Sequence, residues 1–143
     1  MFMGEYNHTI DAKGRLTIPS KLREGLGEEF VITQGNDGCL IAYDAEKWGE
    51  FERKLNALPD SKKDVRAYKR FFLGKATVIN ELDKQGRALL PAPLREYAGL
   101  IKDVVLVGVG DKVEIWSAER WQQSAPEDID DIAERISDMG YDI

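Results

Sequence analysis

One cysteine and one histidine in 143 residues leave little material for catalysis. Cys39 has no second thiol with which to close an internal disulfide, which fits a reducing compartment. His8 stands alone as well. The chain has no Cys/His/Asp/Glu cluster at metal-ligand spacing and no phosphate-cradling glycine motif. No enzyme activity, metal or cofactor is therefore expected. Long apolar runs are also missing, so nothing should span a bilayer, and the first residues do not read as a secretory leader. A cytoplasmic protein without membrane contact is the expectation. No low-complexity linker divides the chain.

Positive charge is short overall, since the formal net charge is −6. That balance argues at first against nucleic acid. Its distribution argues otherwise. Residues 127–143 contain seven acids (Glu127, Asp128, Asp130, Asp131, Glu134, Asp138, Asp142) against Arg135. The acidic tail thus accounts for the whole imbalance, and the rest of the chain is neutral. Inside that neutral body, Lys13, Arg15, Lys21 and Arg23 gather near Asp11, and Lys84, Arg87 and Arg95 gather near Asp83. These are two local positive spots.

The two spots are copies of one another. Residues 11–24 and 83–96 agree at seven of 14 positions: Asp, Gly, Arg, Pro, Leu, Arg and Glu. Average residue usage would give roughly one match. Further along, Tyr43-Asp-Ala-Glu-Lys-Trp48 aligns with Trp116-Ser-Ala-Glu-Arg-Trp121. The chain is one unit written twice, with repeats at 1–74 and 75–143. Units of about 70 residues would be marginal alone, so the halves should share one core.

Each unit reads as strand, Asp-x-x-Gly turn, strand, short helix, two strands and helix. Asp at the first turn position and Gly at the fourth suit a type I turn, with Gly14 and Gly86 left-handed. Asp11 and Asp83 should fix these turns. Alternation along the second strand sends Leu16 and Ile18 inward and holds Arg15 outward. Pro19 and Pro91 should end those strands. Asp44 and Ser117 are good N-caps. Helices are predicted near 45–57, 61–72 and 129–138, the first with Trp48, Phe51, Leu55 and Leu58 on one face. Strands are predicted near 29–34, 39–43, 103–109 and 112–116, with only His8-Thr-Ile10 marking the opening strand.

The pattern Asp-x-Lys-Gly-Arg-x-x-Ile-Pro-x-x-x-Arg resembles the AbrB-type swapped-hairpin DNA-binding domain. Two copies at this spacing resemble the MraZ family of bacterial regulators associated with division and cell-wall genes. Met1-Phe-Met-Gly-Glu-Tyr6, Ala57-Leu-Pro59 and Arg70-Phe-Phe72 extend the resemblance over nearly the whole chain. It implies a mixed, β-rich fold with helices, in which the hairpins of two repeats interleave into a pseudo-two-fold barrel. It also implies a ring-shaped homo-oligomer on direct repeats of promoter DNA, acting as a repressor and associated with the nucleoid. The family's DNA-contacting motif falls on Asp11, Lys13 and Arg15, and on Asp83 and Arg87. Gln85 stands where the first copy has Lys13, so the Arg15 turn should matter more.

Physical chemistry supports the same assignment. Arginine offers phosphate a cation and guanine a planar fork. Arg15 and Arg87 should touch double-stranded DNA, with Lys13, Lys21 and Lys84 adding phosphate attraction. So few charges bind non-specific DNA weakly, at about 10⁻⁴–10⁻⁶ M. Several subunits on repeated sites would raise that by roughly 10²–10⁴. A turn with a structural ion pair is the competing account of each Asp/Arg pair. Arg23 and Arg95 are expected to brace the fold by pairing with acids. The basic run Lys62, Lys63, Arg66, Lys69 and Arg70 is the second choice for DNA contact. A toxin-neutralising antitoxin is the alternative function, because some antitoxins share the barrel.

Overall fold

The computed structural model describes every residue except Glu127, one of the tail acids named above. The first repeat supplies β1 (Phe2–Thr9), β2 (Arg15–Thr17), α1 (Ser20–Leu26), β3 (Phe30–Gln34), β4 (Leu40–Asp44), α2 (Ala45–Asn56) and α3 (Lys63–Phe72). The second supplies β5 (Thr77–Ile79), β6 (Arg87–Leu89), α4 (Ala92–Ala98), β7 (Asp103–Gly110), β8 (Val113–Ser117), α5 (Ala118–Gln123) and α6 (Ile129–Asp138).

Six strands form an antiparallel sheet in the order β1-β7-β8-β4-β3-β5, and β2 pairs with β6 in a separate ribbon. Exchanging the repeats reverses that order without changing it. The sheet therefore carries a pseudo-two-fold axis between β4 and β8. β1 lies along β7 from Phe2 opposite Gly110 to Thr9 opposite Asp103, and β5 lies along β3. The opening strand of each repeat thus completes the sheet of the other. This is the interleaving expected of swapped hairpins.

Hydrogen bonds do not close the barrel: among the described residues β1 and β5, at the two ends of the sheet, do not pair. The barrel expected from the sequence is thus an open sheet, with the inner side chains of the ribbon packed into its core. Alternation turns Leu16 and Ala88 inward from the ribbon, both wholly buried and opposite each other. They join Ile10, Ile32, Leu94 and Leu106 in one core drawn from both repeats. On the far side of the sheet a second cluster packs α2 and α3 on β4 through Ile41, Tyr43, Leu55 and Phe72. Thr33 Oγ1 and Gln34 Nε2 donate to the carbonyls of Phe72 and Phe71, fixing the end of α3.

Local signals are realised closely. Asp44 accepts from the Lys47 amide at 2.8 Å and Ser117 from the Arg120 amide at 3.1 Å, capping α2 and α5. The opening strand is the main departure. It spans eight residues rather than the three predicted, because Gly4, Glu5 and Asn7 dilute its hydrophobic pattern while backbone pairing with β7 still holds it. Cys39 is buried, its Sγ donates to the Asn36 carbonyl, and burial pushes its thiol up to about 12. Among the described residues no helix is long and apolar enough to cross a membrane, and no three or more His, Cys, Asp or Glu side chains are grouped so as to hold a metal ion.

Candidate nucleic-acid interface

Both Asp-x-x-Gly-Arg segments form the expected turn. Gly14 N donates to the Asp11 carbonyl at 3.0 Å, and Gly86 N to the Asp83 carbonyl at 2.9 Å. Gly14 and Gly86 take φ of 86° and 74°, where a side chain is strained. In each turn one carboxylate oxygen accepts two backbone amides: Asp11 Oδ1 from Lys13 and Arg15, Asp83 Oδ1 from Gln85 and Arg87. The other oxygen takes the arginine side-on. Arg15 Nε donates to Asp11 Oδ2 and Arg87 Nε to Asp83 Oδ2, each at 2.7 Å.

The side-on grip decides what each arginine can still do. It uses Nε and leaves the two terminal nitrogens of Arg15 without a protein partner among the described residues. Arg87 differs, because its Nη1 reaches back to Asp11 Oδ2 at 3.5 Å. Asp11 therefore touches both arginines, whereas Asp83 touches one. The ion pair at Nε and unpaired terminal nitrogens of Arg15 coexist in one geometry, so the two accounts of the motif are not exclusive.

The ribbon brings the arginines together. Arg15 lies opposite Leu89 and Arg87 opposite Thr17, all four on the face away from the buried Leu16–Ala88 pair. Arg15 and Arg87 are diagonal neighbours, about 7–8 Å apart in such a register, with Cβ atoms somewhat closer. Lys13 and Lys84 are exposed in the two turns and Lys21 is exposed on α1, none with an acidic partner among the described residues. The basic helix is less available: Lys69 Nζ binds Asp60 at 2.6 Å and the Leu58 carbonyl, and Arg66 Nη1 donates to the Asp60 carbonyl. α6 has no buried residue, and Ile129 on its apolar stripe is 65% exposed.

Arg23 and Arg95 do not behave as expected. Neither pairs with an acid among the described residues. Arg95 instead lies against Gly14, and Arg23 against Gly86, each on the turn of the opposite repeat. Sequence reasoning missed this because the partners are more than 60 positions apart. Their identity in both copies was the one available signal.

The backbone amide of Arg15 holds the Asp11 carboxyl below its ordinary range, with the Arg15 side chain adding to it. Asp83 is lowered likewise, first by the Arg87 amide. A depressed carboxylate contributes stability above its unfolded value of about 4, and that contribution is lost as pH falls through the lower folded value. Wild type should therefore exceed an Asp11→Asn variant in denaturation midpoint at pH 6. The gap should close as pH falls below about 4. A gap unchanged with pH would show that the carboxylate charge contributes nothing.

Comparison with known proteins finds the same division into two repeats. The profile of the family described as "MraZ protein, putative antitoxin-like" matches twice, over residues 1–71 and 72–138. A protein of Clostridium botulinum (strain Alaska E43 / Type E3), named Transcriptional regulator MraZ, is 53% identical over 142 residues, covering 98% of this chain and 99% of its own. Proteins of the same name from Heliobacterium modesticaldum (strain ATCC 51547 / Ice1) and Ligilactobacillus salivarius (strain UCC118) are 54% and 55% identical, each covering 97% of this chain and 99% of their own. Two profile matches and similarity along nearly the whole length give one conclusion: the chain belongs to the MraZ family.

Proposed function

We propose that this chain is a sequence-specific transcriptional regulator that binds promoter DNA through its two Asp-x-x-Gly-Arg turns. The observation that carries the reading is the ribbon face, where Arg15 and Arg87 are each gripped at Nε and held side by side. Relatives named as transcriptional regulators support it. Asp11 and Asp83 shape the turns and orient the arginines, while Gly14 and Gly86 permit the bend. Lys13, Lys21 and Lys84 draw in phosphates.

The dimensions suit DNA. The major groove is about 12 Å wide and admits a two-stranded β-ribbon. A spacing of about 7–8 Å between the arginines corresponds to roughly two base-pair steps at about 3.4 Å each. One chain offers few cations, so tight binding requires several copies on repeated sites. The reading is accordingly a homo-oligomeric ring on direct repeats, acting as a repressor of a division and cell-wall gene cluster. Repeats 1–74 and 75–143 each contribute one turn. A single chain thus already holds a pair of DNA-facing turns, which favours the regulator over an antitoxin.

A salt titration tests this. Affinity for a duplex carrying short direct repeats should fall linearly on a log–log plot against salt, with a slope of about −0.9 per phosphate contact. A scrambled duplex should bind more weakly at every salt concentration. No binding at low salt, or equal binding to both duplexes, would refute the proposal. Stoichiometric capture of a toxin without DNA binding would favour the antitoxin.

A further inference from the structure

We infer that Arg95 and Arg23 are positioning residues, each latching the DNA-facing turn of the opposite repeat. The inference rests on the DNA reading for its consequence, and on geometry alone for the latch. Asp11 shapes its turn from within, and among the described residues its side chain reaches the other repeat only through the long 3.5 Å contact with Arg87 Nη1. The shorter tie to that repeat runs through Leu90 and Arg95. Leu90 N donates to the Gly14 carbonyl at 2.8 Å, and Arg95 Nε donates to the Leu90 carbonyl at 3.0 Å. The Arg95 guanidinium lies so close over Gly14 that a Cβ there would fall 2.7 Å from Nε and 2.9 Å from Cζ. Helix α4, Leu90 and the first turn are thus joined in sequence.

The second turn repeats the plan. Ile18 N donates to the Gly86 carbonyl at 3.0 Å, and a Cβ on Gly86 would fall 2.8 Å from Arg23 Nη1. The arrangement explains why both glycine and the distant arginine are the same in the two copies. An arginine laid flat against a turn needs a residue without a side chain beneath it. The latches are unequal: Arg95 is half-buried and donates a hydrogen bond to the backbone, whereas Arg23 is exposed and rests on contact. The Arg15 turn is therefore the more firmly held of the two.

The latch predicts a crossed pattern. Binding of full-length protein to a promoter duplex from upstream of its own gene is measured for Arg95→Ala alone and combined with Arg15→Ala or Arg87→Ala. Residues that act through one another are non-additive, so Arg95→Ala should cost about tenfold alone or beside Arg87→Ala, and under about twofold beside Arg15→Ala. Arg23→Ala should show the mirror pattern more weakly, coupled to Arg87. Arg95→Lys keeps the charge without the planar Nε donor, and should bind as poorly as the alanine variant. Thermal melts accompany each variant. Equal losses in both backgrounds, or full binding by Arg95→Lys, would overturn the latch.

Amide exchange reads the latch without DNA. Arg95→Ala should speed exchange at residues 11–15 and leave 83–87 unchanged; faster exchange at neither or both would overturn it. If that pattern holds while Arg15→Ala leaves DNA binding intact, the DNA assignment falls and the latch stands.

Discussion

An Arg15→Ala protein is expected to bind its promoter about tenfold or more weakly per engaged site, while melting close to wild type. The two halves of that expectation have separate causes. On the protein side, Arg15 gives Asp11 one half-exposed ion pair, a type of contact contributing about 0–1 kcal/mol. Asp11 Oδ1 keeps its two backbone amides when the side chain is gone, so the turn survives. On the DNA side, the terminal nitrogens of Arg15 have no competing protein partner among the described residues, and a bidentate contact to guanine is worth about 1–3 kcal/mol. An oligomer multiplies that loss over its subunits. Arg87→Ala should lose less, because Arg87 Nη1 already leans on Asp11 and Gln85 stands where the first turn has Lys13. Fluorescence anisotropy on a repeat-bearing duplex, read beside a thermal melt, checks both halves. Wild-type affinity in the Arg15 variant would remove Arg15 from the interface; a large drop in melting temperature would make it a structural residue.

How much of this was legible in the sequence follows the range of the interactions. Helix caps and turns are made by residues within four positions, and Asp44, Ser117, Asp11 and Asp83 declare themselves by type. The inward Leu16 and outward Arg15 follow from strand alternation alone. The internal repeat made the pseudo-symmetry readable before any coordinate. Register between repeats is another matter. Nothing local tells β1 to lie along β7 for eight residues, since Gly4 and Asn7 carry no strand signal and the pairing is made by backbone. The reach of Arg87 to Asp11 spans 76 positions. The same distance effect hid the roles of Arg23 and Arg95. Reading them as partners for nearby acids was reasonable by composition and wrong by geometry, because interleaving brings a closer surface, the glycine of the other turn. The chemistry of each site was thus local, and its mechanical support was not.

That support makes Gly14 the most sensitive position in the first turn. Gly14→Ala should destabilise the protein by about 2 kcal/mol or more, clearly exceeding Gly27→Ala. Both glycines have positive φ, 86° and 78°, and Gly27 with ψ −172° lies outside the left-handed well, so each substitution meets backbone strain of about 1–3 kcal/mol. Their surroundings differ. A Cβ at Gly27 meets nothing within 4 Å, whereas at Gly14 it meets Arg95 Nε at 2.7 Å and the Leu90 carbonyl at 3.0 Å. The carbonyl belongs to the backbone that also donates Leu90 N to Gly14, so it cannot withdraw without breaking the tie. Overpacking of this kind costs a further 1–3 kcal/mol or so. Removing the arginine should relieve part of the clash, so Gly14→Ala should cost less in an Arg95→Ala background than in wild type. DNA affinity should fall with Gly14→Ala and stay level with Gly27→Ala. Denaturant unfolding of the four variants and the parent reads the stability terms. A Gly14→Ala cost unchanged by the Arg95→Ala background would mean that strain and the Leu90 carbonyl govern Gly14 and that Arg95 bears no weight on the turn.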